Sequence, residues 1–214
     1  MGGDCCKDRA QTVVLQLLSA KGGFVVSVSA ASYDSLRALC RKNNPAPDDW
    51  RRVLLLDGVM RWFADFRGFG GDGLAWAAAG MARRAGVSDD ALRDAGMDEE
   101  TIRLVRREKV ADADAQAPLT AEEQLGCLLV TLDHLSELVI AAAAARPKGS
   151  VKGLKVSAVQ KKFKDSKCAP EANRMTILQG ARRMRWEIGD LTSKTIKAIL
   201  SFEDEVREAA QEIA

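Results

Sequence analysis

Residues 120–145 read TAEEQLGCLLVTLDHLSELVIAAAAA, and this segment carries the strongest helix signal in the chain. Thr120 and Glu123 have the spacing of a capping box, in which each side chain accepts a hydrogen bond from the other residue's backbone N–H. Apolar side chains then recur every three or four residues, at Leu125, Leu128, Leu132, Leu135 and Val139. That period is typical of an amphipathic helix. We therefore predict a long helix that packs one apolar face into a core.

The segments before this helix also favour helices. Residues 34–42 have helical periodicity, and Asp48 or Asp49, Ser88 and Asp98 are suited to capping the starts of further helices. Residues 24–29, FVVSVS, alternate as a strand does, but no partner strand is evident, so a short strand and a helix start both stay open. The predicted class is all-α, with that short strand as the one exception.

A linker is predicted at residues 111–118, ADADAQAP, because the segment is small, polar and closed by a proline. It divides the chain into a helical N-terminal region, residues 8–114, and a C-terminal helical bundle, residues 119–214. Within the bundle we predict a basic amphipathic helix over residues 154–167. After it, Pro170 has a natural place at the start of a helix that continues nearly to the end of the chain.

This last segment has the apolar spacing of a coiled-coil seam. The seam consists of Ile177, Ala181, Met184, Ile188 and Leu191, continued by Thr195, Ala198 and Phe202. One interpretation is a single long helix whose seam faces a protein partner, a second copy included. The other, which we favour, is a break at Gly189 and Asp190 that closes a four-helix bundle.

The first seven residues, MGGDCCK, resemble an address for double acylation. Removal of the initiator Met exposes the α-amine of Gly2 for myristate, and Cys5 or Cys6 offers a thiol for palmitate. A single myristoyl chain gives only marginal membrane binding, so stable binding would depend on the palmitoyl group. Cys6 occupies the position where the motif prefers Ser or Thr, and an ordinary chain terminus is the alternative interpretation.

Charge is distributed unevenly along the chain. Residues 146–185 hold 12 basic residues against 2 acidic ones, a balance of +10, whereas residues 187–214 hold 7 acidic against 3 basic, a balance of −4. A block this basic favours an anionic membrane surface as partner. Internal pairing with the acidic tail is the alternative. The predicted contact residues are Lys148, Lys152, Lys155, Lys161, Lys162, Lys164, Lys167, Arg182, Arg183 and Arg185.

Signals for catalysis are weak. Gly68, Gly70 and Gly73 match the G-x-G-x-x-G phosphate loop, but the residues before them look helical, whereas the dinucleotide fingerprint follows a strand. Five cysteines without a C-x-x-C pair and a single histidine, His134, indicate neither a disulfide framework nor a zinc site. We expect no cofactor, no metal and no enzymatic activity. A nucleotide-binding enzyme that uses the glycine loop stays as an alternative.

These observations favour a non-catalytic adaptor or effector, located in the cytoplasm at the inner face of a membrane and anchored by lipid. No charge-free run exceeds the 12 residues 22–33, so no membrane-spanning helix is expected. A soluble helical interaction module or coiled-coil dimer is the alternative. Residues 174–186 also resemble a calmodulin-type target, because they form a basic segment with bulky Ile177 and Trp186 nine residues apart. Nucleic acid is not expected as a partner, since no recognition motif is present.

Overall fold

A computed structural model of the protein describes residues 28–67, 73–111 and 117–211. All regular secondary structure within these ranges is helical, which confirms the predicted all-α class. Residues 24–27 of the alternating segment lie outside the described residues. The described helices are α1 (Ala30–Asn43), α2 (Pro47–Arg67), α3 (Gly73–Arg84), α4 (Asp89–Asp94), α5 (Glu99–Val105), α6 (Ala121–Ala144), α7 (Val156–Lys164), α8 (Arg174–Arg183) and α9 (Ile188–Gln211).

α4, α5 and α6 start at capping residues that the sequence indicates, whereas α2 begins at Pro47, so the predicted cap at Asp48 or Asp49 is wrong and both residues lie in its first turn. Ser88 accepts a hydrogen bond from a backbone N–H of α4, and Asp98 accepts two from α5. Both halves of the predicted capping box of α6 form. The Glu123 N–H donates to Thr120 Oγ1 at 3.2 Å, and the Thr120 N–H donates to Glu123 Oε2 at 2.7 Å. These bonds satisfy N–H groups that would otherwise lack partners in the first turn of the helix.

The long helix α6 lies at the centre of the bundle. The sequence predicts one buried face, but Leu129 and Leu138, on other faces, are also completely buried. A helix enclosed by neighbours is apolar all round, and the heptad period identifies only one of its faces. α6 is also the one described helix long and apolar enough to cross a membrane, and 72% of its most apolar window is buried inside the protein.

Charged side chains join α6 to α3. Arg83 Nε lies 2.8 Å from Asp133 Oδ2, and Arg84 pairs with both Asp133 and Glu137, the latter at 2.7 Å. Because these groups are mostly buried, each charge needs its partner, and loss of one would leave the other uncompensated. The cluster therefore fixes how α3 lies on α6.

One apolar core extends through helices on both sides of the predicted linker. α2 packs along α9 so closely that a Cβ atom added at Gly58 would lie 2.8 Å from the Phe202 ring. Residues 112–116 of the linker lie outside the described residues. The division into two units at residues 111–118 stays a prediction.

The C-terminal segment forms two helices, not one. The break lies at residues 184–187, upstream of the predicted Gly189 and Asp190, which both belong to the first turn of α9. Arg185 adopts a φ of +56°, and the Trp186 N–H donates to the Ala181 carbonyl at 2.9 Å. This is a Schellman termination, which usually has glycine at the position of Arg185 and so is hard to recognise in the sequence. The predicted start at Pro170 is also wrong, because α8 begins at Arg174 after an Asn173 cap.

Candidate functional site

The lysines of the basic block lie on α7 and on the loops around it. They are Lys148 and Lys152 in the preceding loop, Lys155 at the N-cap, Lys161, Lys162 and Lys164 on α7, and Lys167 after it. All are exposed except Lys162, which is half-buried. None forms a salt bridge with another residue in the part of the chain that the structure describes. Their ammonium groups are therefore exposed to solvent and are not neutralised by a carboxylate among the described residues.

The acidic residue of α9 that does contact this region binds a loop and not a lysine. Glu203 accepts hydrogen bonds from the Ser150 hydroxyl at 2.6 Å and from the Val151 N–H at 2.9 Å. The carboxylate is nearly buried, and it ties the loop before α7 to the last helix. Glu203 thus has a structural role that leaves the lysines available to an external partner.

Three arginines of the basic block are used inside the fold. Their guanidinium groups donate to carbonyl oxygens: Arg146 to Ser150 and Lys152, Arg174 to Ala169 and Ala172, and Arg183 to Ala117. Arg183 is buried, so it does not lie on the predicted contact surface. Arg182 and Arg185 are exposed, in agreement with a surface location.

An open groove of about 480 Å³ lies between α7, α8 and α9, beside these lysines. Its lining is mainly apolar, with Lys161 and Lys164 among the lining residues. The others are Ser157, Val159, Gln160, Phe163, Leu178, Ile188 and Thr192. The groove thus combines apolar walls with two cations, a pairing that suits a ligand with both an apolar and an anionic part.

Two apolar side chains of α8, which are absent from the predicted contact residues, extend this surface. Met175 is 60% exposed and Leu178 is 43% exposed. They are three residues apart, so they lie on the same side of the helix. Neither belongs to the predicted seam, whose residues Ile177 and Ala181 are buried in the core. The sequence feature that indicates their exposure is that both are apolar residues outside the seam, within the basic block.

The calmodulin-type segment has its anchors turned inward. Ile177 is completely buried, and Trp186 is half-buried, with its ring centroid 6.0 Å from that of Phe63 on α2. A partner that binds both anchors would first have to remove α8 from the bundle. Recognition of this segment stays a prediction.

Titratable groups elsewhere do not assemble a reactive centre among the described residues. Burial raises the pKa of the Cys40 thiol to about 12 and that of Cys127 to about 11, so both thiols are protonated and unreactive at neutral pH. Burial lowers the pKa of His134, which is half-buried on α6. In the described ranges no three Asp, Glu, His or Cys residues are grouped as metal ligands.

The remaining predicted sites fall largely outside the described residues. These are the acylation residues Gly2, Cys5 and Cys6 and the loop residues Gly68 and Gly70, whereas Gly73 is the first residue of α3. The chain matches no protein-family model, no curated protein and no solved structure.

Proposed function

We propose that the protein is a non-catalytic peripheral membrane adaptor or effector whose lysine-rich face, formed by α7, its flanking loops and the exposed side of α8, lies on an anionic bilayer. In this proposal Gly2 carries myristate and Cys5 or Cys6 carries palmitate, and the protein resides at the cytoplasmic face. One observation supports it above the others. Exposed lysines without salt bridges among the described residues occur beside exposed Met175 and Leu178.

The energetics are sufficient for residence on a membrane. Each lysine near an anionic leaflet contributes about 1 kcal/mol, so four of the seven would add about 4 kcal/mol. A myristoyl chain alone binds only marginally, and a polybasic surface is one of the second signals that make such binding stable. Apolar side chains that enter the interface, such as Met175, would add to this attraction.

The electrostatic part is tested with the unacylated full chain and vesicles that contain either anionic or only zwitterionic lipid. Reversing Lys152, Lys155 and Lys167 to Glu should weaken binding to anionic vesicles more than about 100-fold, because the loss of three favourable charges at about 1 kcal/mol each gives that factor and the new carboxylates add repulsion. The matched control reverses exposed Lys42, Arg52 and Lys109, which carry the same charge but belong to α1, to α2 and to the segment after α5, outside the proposed lysine-rich face. Equal effects of the two triple variants, or binding indifferent to lipid charge and salt, would contradict the proposal.

Acylation is tested separately in a eukaryotic host by intact-mass measurement and membrane fractionation. Gly2→Ala removes the myristate acceptor and should move the protein from the membrane to the supernatant fraction. Cys5→Ser combined with Cys6→Ser should do most of the same while leaving the myristoyl mass in place. A wild-type chain without added mass that fractionates like Gly2→Ala would refute the anchor.

A protein-binding module is the second candidate, and the open groove favours it. Apolar grooves between helices accept amphipathic helices of partner proteins. In that case purified protein should bind no vesicles, and a self-partner would make the mass in solution depend on concentration. Analytical ultracentrifugation over a hundredfold concentration range distinguishes a dimer from a monomer.

A further inference from the structure

We propose that the groove between α7, α8 and α9 binds one acyl chain of an anionic membrane phospholipid, with the lipid phosphate held between Lys161 and Lys164. The inference rests on the proposed membrane function and makes it more specific. The basic face would then recognise an individual lipid molecule as well as the average charge of the leaflet.

The apolar part of the site comes from three helices. Val159 and Phe163 of α7, Leu178 of α8 and Ile188 of α9 line the groove. Val159 is buried, whereas Leu178 leaves 43% of its surface exposed, so the apolar lining continues from the interior to the mouth of the groove. The volume of about 480 Å³ is within the range of roughly 300–1,000 Å³ that is usual for small-molecule sites. An acyl chain is an unbranched apolar ligand that suits an apolar gap between helices.

The polar part lies on α7. Lys161 and Lys164 are separated by one helical turn, about 4.5 Å along the axis, so both ammonium groups can reach a single phosphate. Ser157 lies one turn before Lys161 and also lines the groove, where its hydroxyl is a further donor. The Thr192 hydroxyl is already used, because it donates to the Ile188 carbonyl at 2.7 Å.

Charge complementarity selects an anionic lipid over a neutral one. Neither groove lysine has a salt-bridge partner among the described residues, and both line the groove together with apolar side chains. A cation beside an apolar wall attracts an anion more strongly than one in bulk water does. Two cations one helical turn apart on the same helix suit a compact anionic headgroup with a chain attached.

The direct test is calorimetric titration of the unacylated full chain with dodecyl phosphate below the concentration at which it forms micelles. Inorganic phosphate supplies the head without the chain, and dodecyl maltoside supplies the chain with an uncharged head. We expect one dodecyl phosphate per protein, bound at least tenfold more tightly than either comparison compound. Unsaturable uptake of several molecules per chain, or equal affinity for dodecyl maltoside, would overturn the inference.

The chain offers a matched pair of variants. Leu178 and Leu200 are both 43% exposed, but only Leu178 lines the groove. Leu178→Asp should weaken dodecyl phosphate binding at least tenfold, and Leu200→Asp should leave it unchanged. Lys161→Gln with Lys164→Gln should remove the preference for dodecyl phosphate over dodecyl maltoside. NMR shift changes in the wild type, confined to residues that line the groove, would support the site without any variant, and changes confined to other surfaces would overturn it.

Further binding measurements distinguish a membrane lipid in the groove from the protein's own myristoyl chain and from a protein partner. Loss of dodecyl phosphate binding when Gly2 carries myristate would mean that the groove holds the protein's own anchor, which overturns the assignment to a membrane lipid. Binding of an acidic amphipathic peptide that depends on Leu178, with no binding of dodecyl phosphate, would assign the groove to a protein partner. If dodecyl phosphate does not bind but vesicle binding still depends on the lysines outside the groove, the inference fails and the proposed function stands. Vesicle binding indifferent to charge would refute the function itself.

Discussion

Asp57 shows how much one buried carboxyl group depends on its neighbours. The Tyr33 hydroxyl donates to Asp57 Oδ1 at 2.6 Å, and Arg61 donates to the Tyr33 oxygen at 3.0 Å while its guanidinium lies 3.8 Å from Asp57 Oδ2. Burial raises the pKa of Asp57, and the bond from Tyr33 and the charges of Arg61 and Arg37 only partly oppose this effect. The folded protein therefore favours the neutral carboxylic acid more than the unfolded chain does.

A pH dependence of stability follows. With a folded-state pKa above the unfolded value of about 3.9, the group contributes stability at low pH that is lost as pH rises through the folded pKa. Asp57→Asn keeps an acceptor for Tyr33 and removes the ionisation, so the stability of the variant relative to wild type should improve between pH 4 and pH 8. Urea denaturation at several pH values measures this difference.

Tyr33→Phe provides the opposite change, because it leaves the carboxylate without its donor. This variant should lose stability more steeply with rising pH than the wild type does. If the free energy of unfolding changed with pH in the same way in wild type and Asp57→Asn, the Asp57 carboxyl group would have the same pKa in the folded and unfolded protein, which contradicts the prediction.

At the scale of elements, the contact between α6 and α8 depends on a single glycine. A Cβ atom added at Gly180 would lie 1.8 Å from Thr131 Oγ1 and 2.8 Å from Thr131 Cβ, so the two helices must move apart to accept it. Thr131 is buried and its hydroxyl donates to the Cys127 carbonyl at 2.6 Å, which opposes rotation of the side chain. Gly180→Ala should therefore cost about 1–3 kcal/mol of stability, despite the better helix propensity of alanine.

Gly189→Ala is the matched control for this prediction. Gly189 lies in the first turn of α9, and the nearest atom to an added Cβ is Gln160 Nε2 at 3.9 Å, an ordinary contact. This variant should match or exceed wild-type stability, by up to about 1 kcal/mol, because alanine favours helix. Urea midpoints of the two variants measure the contrast. Equal stability of Gly180→Ala and wild type would mean that α6 and α8 are less closely packed.

Elements differed in how well the sequence predicts them, for a physical reason. The starts of α4, α5 and α6 depend on side chains within a few residues of the helix, and their caps were predicted correctly. The end of α8 was not predicted, because Arg185 adopts the left-handed backbone conformation that is usually taken by glycine after a helix. The groove was also missed, since Phe163, Leu178 and Ile188 meet only when three helices pack together. Periodicity indicates which face of a helix is apolar but not where two such faces leave a gap.

At the scale of the whole molecule, the two regions that the sequence divides at residues 111–118 depend on each other for burial. Phe63 of α2 is completely buried and packs against Trp186, and Arg84 of α3 pairs with Glu137 of α6. Separation would expose the apolar face of α2 and leave buried charges unpaired, and each effect costs several kcal/mol. Together the two losses are comparable with a total stability of about 5–15 kcal/mol, so we expect neither region to keep its fold without the other.

The last prediction is that neither region folds alone. Residues 1–114 and residues 115–214, expressed separately, should each lack a cooperative urea transition, and mixing them should restore helical circular dichroism and a single transition. The control is the intact chain with a protease site inserted in residues 112–116. After cleavage the two fragments should stay together as one folded particle, because cutting the linker leaves the contacts between the regions unchanged. A cooperative transition in isolated residues 115–214 would instead establish the two-unit division. In that case the lysine-rich face could be transferred to other proteins as a membrane-binding unit, whereas a shared core requires that the whole chain bind the bilayer.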